Sequence, residues 1–271
     1  MRRLSAAAPN AKPVSATAEQ ILDQAETLIQ TRSYSAFSYQ DIAGALGIRK
    51  ASIHYHFATK AELGVAVVDR YAERFGNALA ALDRDQSRSS AQLLDFYCEP
   101  YLQYAQTPDR VCLCGALAAE TLALPPQIRE RVAGFFEDHQ AWLARILERG
   151  AQRGEFTLRT AAVRTARMFF GALQGALLVK RTTGDMTQLK DVVTALKSQL
   201  AADRGGKASG VTAGNEVITK ASSLFISGRS TCSSRRSSRS SWLPAASRGA
   251  PNVAAANSTR WNSLFSSSDS S

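Results

Sequence analysis

The sequence predicts an all-α fold: a small N-terminal three-helix unit of helix-turn-helix type, followed by a larger helical C-terminal domain. Three observations predict it. Apolar residues recur three and four apart through most of residues 17–203, the period of helices with one buried face. Helix-opening pairs, a Ser, Thr or Asp three residues before an acid or Gln, stand at Thr17/Gln20, Ser38/Asp41, Thr59/Glu62 and Asp185/Gln188. Gly47, Gly150, Gly154 and Gly184 fall where helical patterns stop, and Pro125-Pro126 falls where one begins.

In chain order, residues 1–16 are small, polar and broken by proline, and read as a flexible basic arm. Ile21, Ala25, Leu28 and Ile29 give the first helix its stripe, which ends near Arg32. Ser38 opens the next helix at Tyr39, carried inward by Ile42, Ala43 and Leu46 and stopped by Gly47. A short helix follows from about Arg49 to His56, anchored by Ile53 and Phe57. A long one then runs through Leu63, Val67, Tyr71 and Phe75 toward a polar loop at 83–90. The helix expected at 91–106 is crowded with Phe96, Tyr97, Tyr101 and Tyr104 and contains Pro100. Residues 112–124 read as one short buried helix, and 126–153 as a long one bearing Val132, Phe135, Phe136, Trp142, Leu143, Ile146 and Leu147. Helices at about 160–181 and 186–202 complete the fold, and the Ser/Arg-rich stretch 204–271 lacks the apolar residues for a core and reads as a disordered tail.

Two short helices joined by a glycine turn, packed under a third, make a helix-turn-helix, whose second helix enters the DNA major groove. Local charge agrees: between Gly47 and Lys60 stand Arg49, Lys50 and Lys60 and no acid. Lys50 and His54 lie four apart and share one face, leaving Ile53 and Phe57 to the core. Ser52, Tyr55 and His56 add groups suited to phosphate oxygens.

The run FSYQDIAGALGIRKASIHYHFATKAEL resembles the DNA-binding signature of TetR-type transcriptional regulators, most specifically in Tyr55-His56-Phe57 followed by Lys60 and Leu63. The likeness is strong over about residues 17–70 and consistent in layout to about 203. It implies a homodimer with a DNA reader at 17–63 and a ligand-binding and dimerisation domain at 64–203. It places Gln40, Lys50, Ala51 and His54 at base edges, and Tyr39, Ser52, Tyr55, His56 and Lys60 at phosphates. The last two helices resemble the pair that forms a four-helix bundle with its twin. Ser33 departs from the pattern, standing where the family usually has glycine, and His54 stands where tyrosine is common. Some such regulators sense oxidants or electrophiles through a cysteine placed as Cys112 is, at the start of a buried helix. There the helix dipole and free N–H groups favour a reactive thiolate, and Lys180 is the expected neighbour.

The net charge of +10 belongs to the ends of the chain. Residues 204–271 hold nine basic against two acidic residues and residues 1–16 three against none, so 17–203 is neutral. The case for DNA therefore rests on the 47–60 stretch. Four cysteines in 271 residues make no disulfide framework, and the longest nearly apolar run, Met168 to Val179, is too short to span a bilayer. A cytoplasmic protein without signal peptide or membrane span is expected. No phosphate-cradling loop, carboxylate pair or nucleophile elbow points to an enzyme, and no cofactor is expected. His54 and His56 fall in the recognition helix, and His139 stands alone on a charged face. Cys112 and Cys114, two apart on a helix, diverge by about 200° and do not share a metal ion.

Two functions remain: a repressor released from a palindromic double-stranded DNA operator by a small-molecule effector, or a constitutive dimeric DNA-binding protein. The aromatic helices decide between them. Tyr97, Tyr101, Phe135, Trp142 and Met168, with Cys112, are the expected walls of an effector pocket, because such pockets are mostly apolar with a few polar groups.

Overall fold

Side-chain capping fixes the starts of four helices, those beginning at Ala16, Tyr39, Lys60 and Ser90. The computed structural model describes residues 15–201, apart from 86 and 108, and contains nine α-helices among them. Of the arm expected at 1–16, residues 1–14 lie outside the described residues, as does the tail at 204–271, while residues 15 and 16 belong to the first helix and its cap. Helix α1 (Ala16–Arg32) begins earlier than the Thr17/Gln20 pair suggests, because Ser15 is the cap: its Oγ accepts the Ala18 N–H at 3.2 Å. Helix α2 (Tyr39–Leu46) starts as expected, with the Ser38 N–H donating to the Asp41 carboxylate at 2.8 Å. It stops at Gly47, whose φ of 66° is costly for any residue with a Cβ. Helix α3 (Lys50–His56) follows after three residues, and α4 (Lys60–Arg84) opens on Thr59, whose Oγ1 accepts the Glu62 N–H.

The other helices are α5 (Ser90–Ala105), α6 (Leu113–Ala119), α7 (Pro126–Gln152), α8 (Ala162–Thr183) and α9 (Gln188–Leu200). The helix expected over 112–124 is divided: α6 covers seven residues, and a separate 3-10 turn occupies Thr121–Ala123. Asp185 does not cap α9 directly; it accepts the N–H and hydroxyl of Thr187, which is the cap residue. No helix of the described residues is long and apolar enough to cross a membrane.

Packing makes one continuous core. Ile21 and Ile29 of α1 meet Ile42 of α2 and Ile53 of α3, all four without exposed surface, and the cluster runs on through Leu63 and Val67 of α4 to α7 and α8. Each such side chain contributes on the order of 2 kcal/mol by leaving water. Charges reinforce α1 on α4: buried Glu26 accepts from Arg74 at 2.7 Å and from Arg70 at 3.4 Å. α7, α8 and α9 pack in series, and the outward side of α8 carries exposed Val163, Met168, Leu178 and Val179.

One backbone position carries strain. Ser33, closing α1, has φ 81° and ψ 160°, a region that only glycine occupies freely. Ser33→Gly is expected to raise stability by about 1 kcal/mol, read as a higher denaturant midpoint at unchanged slope. A lower midpoint would mean that the side chain holds the turn more firmly than the backbone resists it.

Candidate DNA reader and effector cavity

The reader face is built by α2 and α3. Burying Ile53 turns the opposite side of α3 outward, so Lys50, Ala51, His54 and Tyr55 are exposed, Tyr55 with 85% of its surface. Gln40 is exposed in the first turn of α2, and Ser52 and His56 flank the same helix half-buried. The His54 ring rests against Tyr39, centroids 4.8 Å apart, and its Nδ1 lies 3.2 Å from the Ala58 carbonyl, which sets its direction.

Two residues expected at phosphates sit differently. Tyr39 is buried and its hydroxyl donates to the Phe57 carbonyl at 2.9 Å; burial pushes its pKa up to about 12. It fixes the exit of α3. Lys60 is folded inward, donating to the Phe37 carbonyl at 2.5 Å with its ammonium 4.6 Å from the Tyr34 ring centroid and 4.4 Å from that of Phe37. Desolvation lowers its pKa, opposed by Glu120 and Asp41. Both departures have one cause: the residues are amphipathic, and here the polar end finds a backbone carbonyl within the fold.

A cavity of about 10 Å³, room for one water molecule, lies among α4, α5 and α7. Tyr71 and Phe75 of α4 form one wall, and Pro100, Tyr101 and Tyr104 of α5 another. Phe135 and His139 of α7 and Cys112 close it. Of the expected pocket residues, Tyr101, Cys112 and Phe135 are thus in the wall. Tyr97 and Trp142 stack on each other behind it, centroids 5.4 Å apart, and Tyr97 reaches it through a 3.0 Å hydrogen bond to His139. Met168 is not there: it is 48% exposed on the outward side of α8, since Phe169, Phe170 and Leu173 take the inward side.

His139 corrects the reading of a charged-face residue. It is 4% exposed, its ring 4.0 Å from that of Phe135, and desolvation lowers its pKa from 6.5 to about 4. The unfolded chain therefore binds a proton between about pH 6.5 and 4 that the folded chain refuses. Stability is unaffected above that window and falls as the pH falls through it, by about 3 kcal/mol from this group. His139→Gln is expected to flatten that part of the stability–pH curve; the same slope in both proteins would assign it to other groups.

Polar groups join the cavity to α1. Tyr71 donates its hydroxyl to Cys112 Sγ at 3.6 Å and lies 3.3 Å from the Tyr104 hydroxyl. Tyr104 in turn accepts from Gln30 Nε2 at 3.0 Å, and Gln30 Oε1 accepts from Arg110 at 2.7 Å. Gln30 is fully buried near the end of α1. Arg181 donates to the Thr31 carbonyl at 2.6 Å, and Glu120, after α6, accepts the N–H groups of Tyr34 and Ser35 at 2.8 and 2.9 Å. The last turn of α1 and the α1–α2 connection are thus held from the cavity side by side chains.

Lys180 does not serve Cys112. Fully buried, it spends its three N–H bonds on the carbonyls of Tyr104 (2.8 Å), Arg110 (3.2 Å) and Thr107. It holds the chain that leaves α5. The Cys112 thiol is buried and takes its contact from Tyr71.

Residues 21–67 match the family described as "Bacterial regulatory proteins, tetR family", and residues 91–196 match "Tetracyclin repressor-like, C-terminal domain". A TetR transcriptional regulator from Legionella pneumophila of known crystal structure is 32% identical, with a TM-score of 0.63 over 70% of this chain and all of that one. The chain belongs to the TetR family. An uncharacterised HTH-type regulator of Lactococcus lactis is 28% identical, covering 67% of this chain and 92% of its own. The Staphylococcus aureus regulator IcaR, named as a negative regulator of a biofilm operon, is 23% identical over 56% of this chain and 91% of its own. This TetR-family protein is a transcriptional regulator and not an enzyme.

Proposed function

We propose that this TetR-family protein is a repressor that binds a palindromic operator as a homodimer and is released by a small molecule seated in the α4–α5–α7 cavity. The hydrogen-bonded path from the cavity wall to Gln30 carries the reading. An occupant that displaces Tyr104 takes away a bond made by the last turn of α1, and α1 packs directly on the reader helices. A constitutive binder has no use for such a path. Lys50, Ala51, His54 and Gln40 read base edges, in keeping with their exposure, and Tyr55, with half-buried Ser52 and His56 at its flanks, holds phosphates. Tyr39 and Lys60 brace that face from behind. Repression fits the name of IcaR. Each chain has one recognition helix, so two-fold symmetry sets two half-sites about one helical turn or a multiple apart.

The test is operator binding measured across a set of single-base variants. Lys50→Ala is expected to relax preference at one or two base pairs by about 1–3 kcal/mol. Tyr55→Phe is expected to weaken all sequences alike. Uniform weakening by Lys50→Ala would move it from base reading to phosphate holding. Operator affinity indifferent to every compound that binds the cavity would favour the constitutive reading.

A further inference from the structure

The protons along the cavity path run in one direction. Gln30 donates to the Tyr104 oxygen, and the Tyr71 proton goes to Cys112, so the proton shared by the two hydroxyls belongs to Tyr104. The path ends at sulfur, a weak acceptor, 3.6 Å away. Of the hydroxyl donors on the path, Tyr71 has the weakest acceptor, and each bond behind it polarises it further.

Charge narrows the occupant. No Asp, Glu, Lys or Arg lines the cavity, and His139 is neutral above about pH 4, so an anion finds no counter-charge there to offset the loss of its hydration. Aromatic walls can attract a cation, but the Arg74 guanidinium already lies 5.2 Å from the Tyr71 ring centroid and 6.0 Å from that of Phe75. A second positive charge against those rings meets that one. The remaining walls, Pro100, Phe135 and the ring faces of Tyr101 and Tyr104, offer flat apolar surface.

We infer that the cavity, enlarged from its one-water size by movement of its aromatic walls, takes an uncharged, flat, largely apolar molecule with one hydrogen-bond acceptor, such as a carbonyl oxygen, which receives the Tyr71 hydroxyl in place of Cys112 Sγ. This deepens the effector reading and rests on it only for the claim that the cavity is a ligand site.

The test is calorimetric titration of the full-length protein, without DNA, by four probes sharing a benzene ring: acetophenone, ethylbenzene, benzoate and benzyltrimethylammonium. Acetophenone is expected to bind tightest. Tyr71→Phe keeps the ring and its packing, and is expected to weaken acetophenone about tenfold, the worth of one net hydrogen bond, while leaving ethylbenzene unchanged. That unchanged value also shows the cavity of the variant to be intact. Tighter binding of either charged probe overturns the inference, as does equal binding of ethylbenzene and acetophenone, an equal effect of Tyr71→Phe on both, or no binding at millimolar concentration. Failure of the effector reading looks different: acetophenone binds as expected, and operator affinity does not respond to any cavity ligand.

Discussion

Replacing Lys180 by Met is expected to cost about 3 kcal/mol or more, lowering the melting temperature on the order of 10 °C. The side chain has no exposed surface, and its ammonium satisfies three carbonyls around the exit of α5. Met fills the volume but donates nothing, so those carbonyls lose their partner where water does not readily replace it. Removing the buried charge recovers part of the cost, because an ammonium is itself expensive to bury. That is why the expected loss is a few kcal/mol and not the sum of three bonds. Lys180→Arg, with the charge kept but the shape wrong, should fall between. A melting temperature unchanged in Lys180→Met would mean that the 104–110 segment holds its course without the lysine.

The second large effect concerns α8. Met168 and Val179, eleven residues apart, lie on the same outward side of the helix as Gly171 and Gly175, where an added Cβ meets nothing within 4 Å. In the proposed dimer this side faces its copy. Met168→Glu with Val179→Glu sets four carboxylates into a two-fold interface, since each change occurs twice. The double variant is expected to sediment as a monomer and to lose operator affinity by about 100-fold or more, because single half-sites bind weakly. A variant that remains dimeric, or a monomer with full affinity, would place the dimer contact elsewhere.

The reader was legible because its signals are local. Ser38 and Asp41 are three residues apart, Gly47 terminates a helix by its own conformation, and the spacing of Ile53 to Lys50 and His54 sorts inside from outside. The strain at Ser33 was legible in the same way, as a residue standing where the family pattern has glycine. The cavity was legible only in part. Helix α8 is apolar on two sides, and periodicity alone does not say which is inward, so Met168 was assigned to the wrong one. His139 reads as standing on a charged face, although it falls four residues after Phe135 and three before Trp142, on the same stripe. The burial of Gln30 and of Lys180 left no signal. Their partners lie 70 or more residues away in sequence, and a polar residue is buried only where such partners already wait.

The bonds that Gln30, Thr31, Tyr34 and Ser35 make across the chain bear on how interchangeable this reader is. Helix-turn-helix units are tempting cassettes, to be moved between regulators so that one effector commands another's operator. Here a graft cut between α3 and α4 would bring a foreign α1 against Tyr104, Arg110, Glu120 and Arg181, all of which speak to particular atoms of the original. A hybrid carrying only the recognition surface, Gln40 and residues 50–56, on the native α1 keeps those partners. Its operator could be changed without altering what its body answers to.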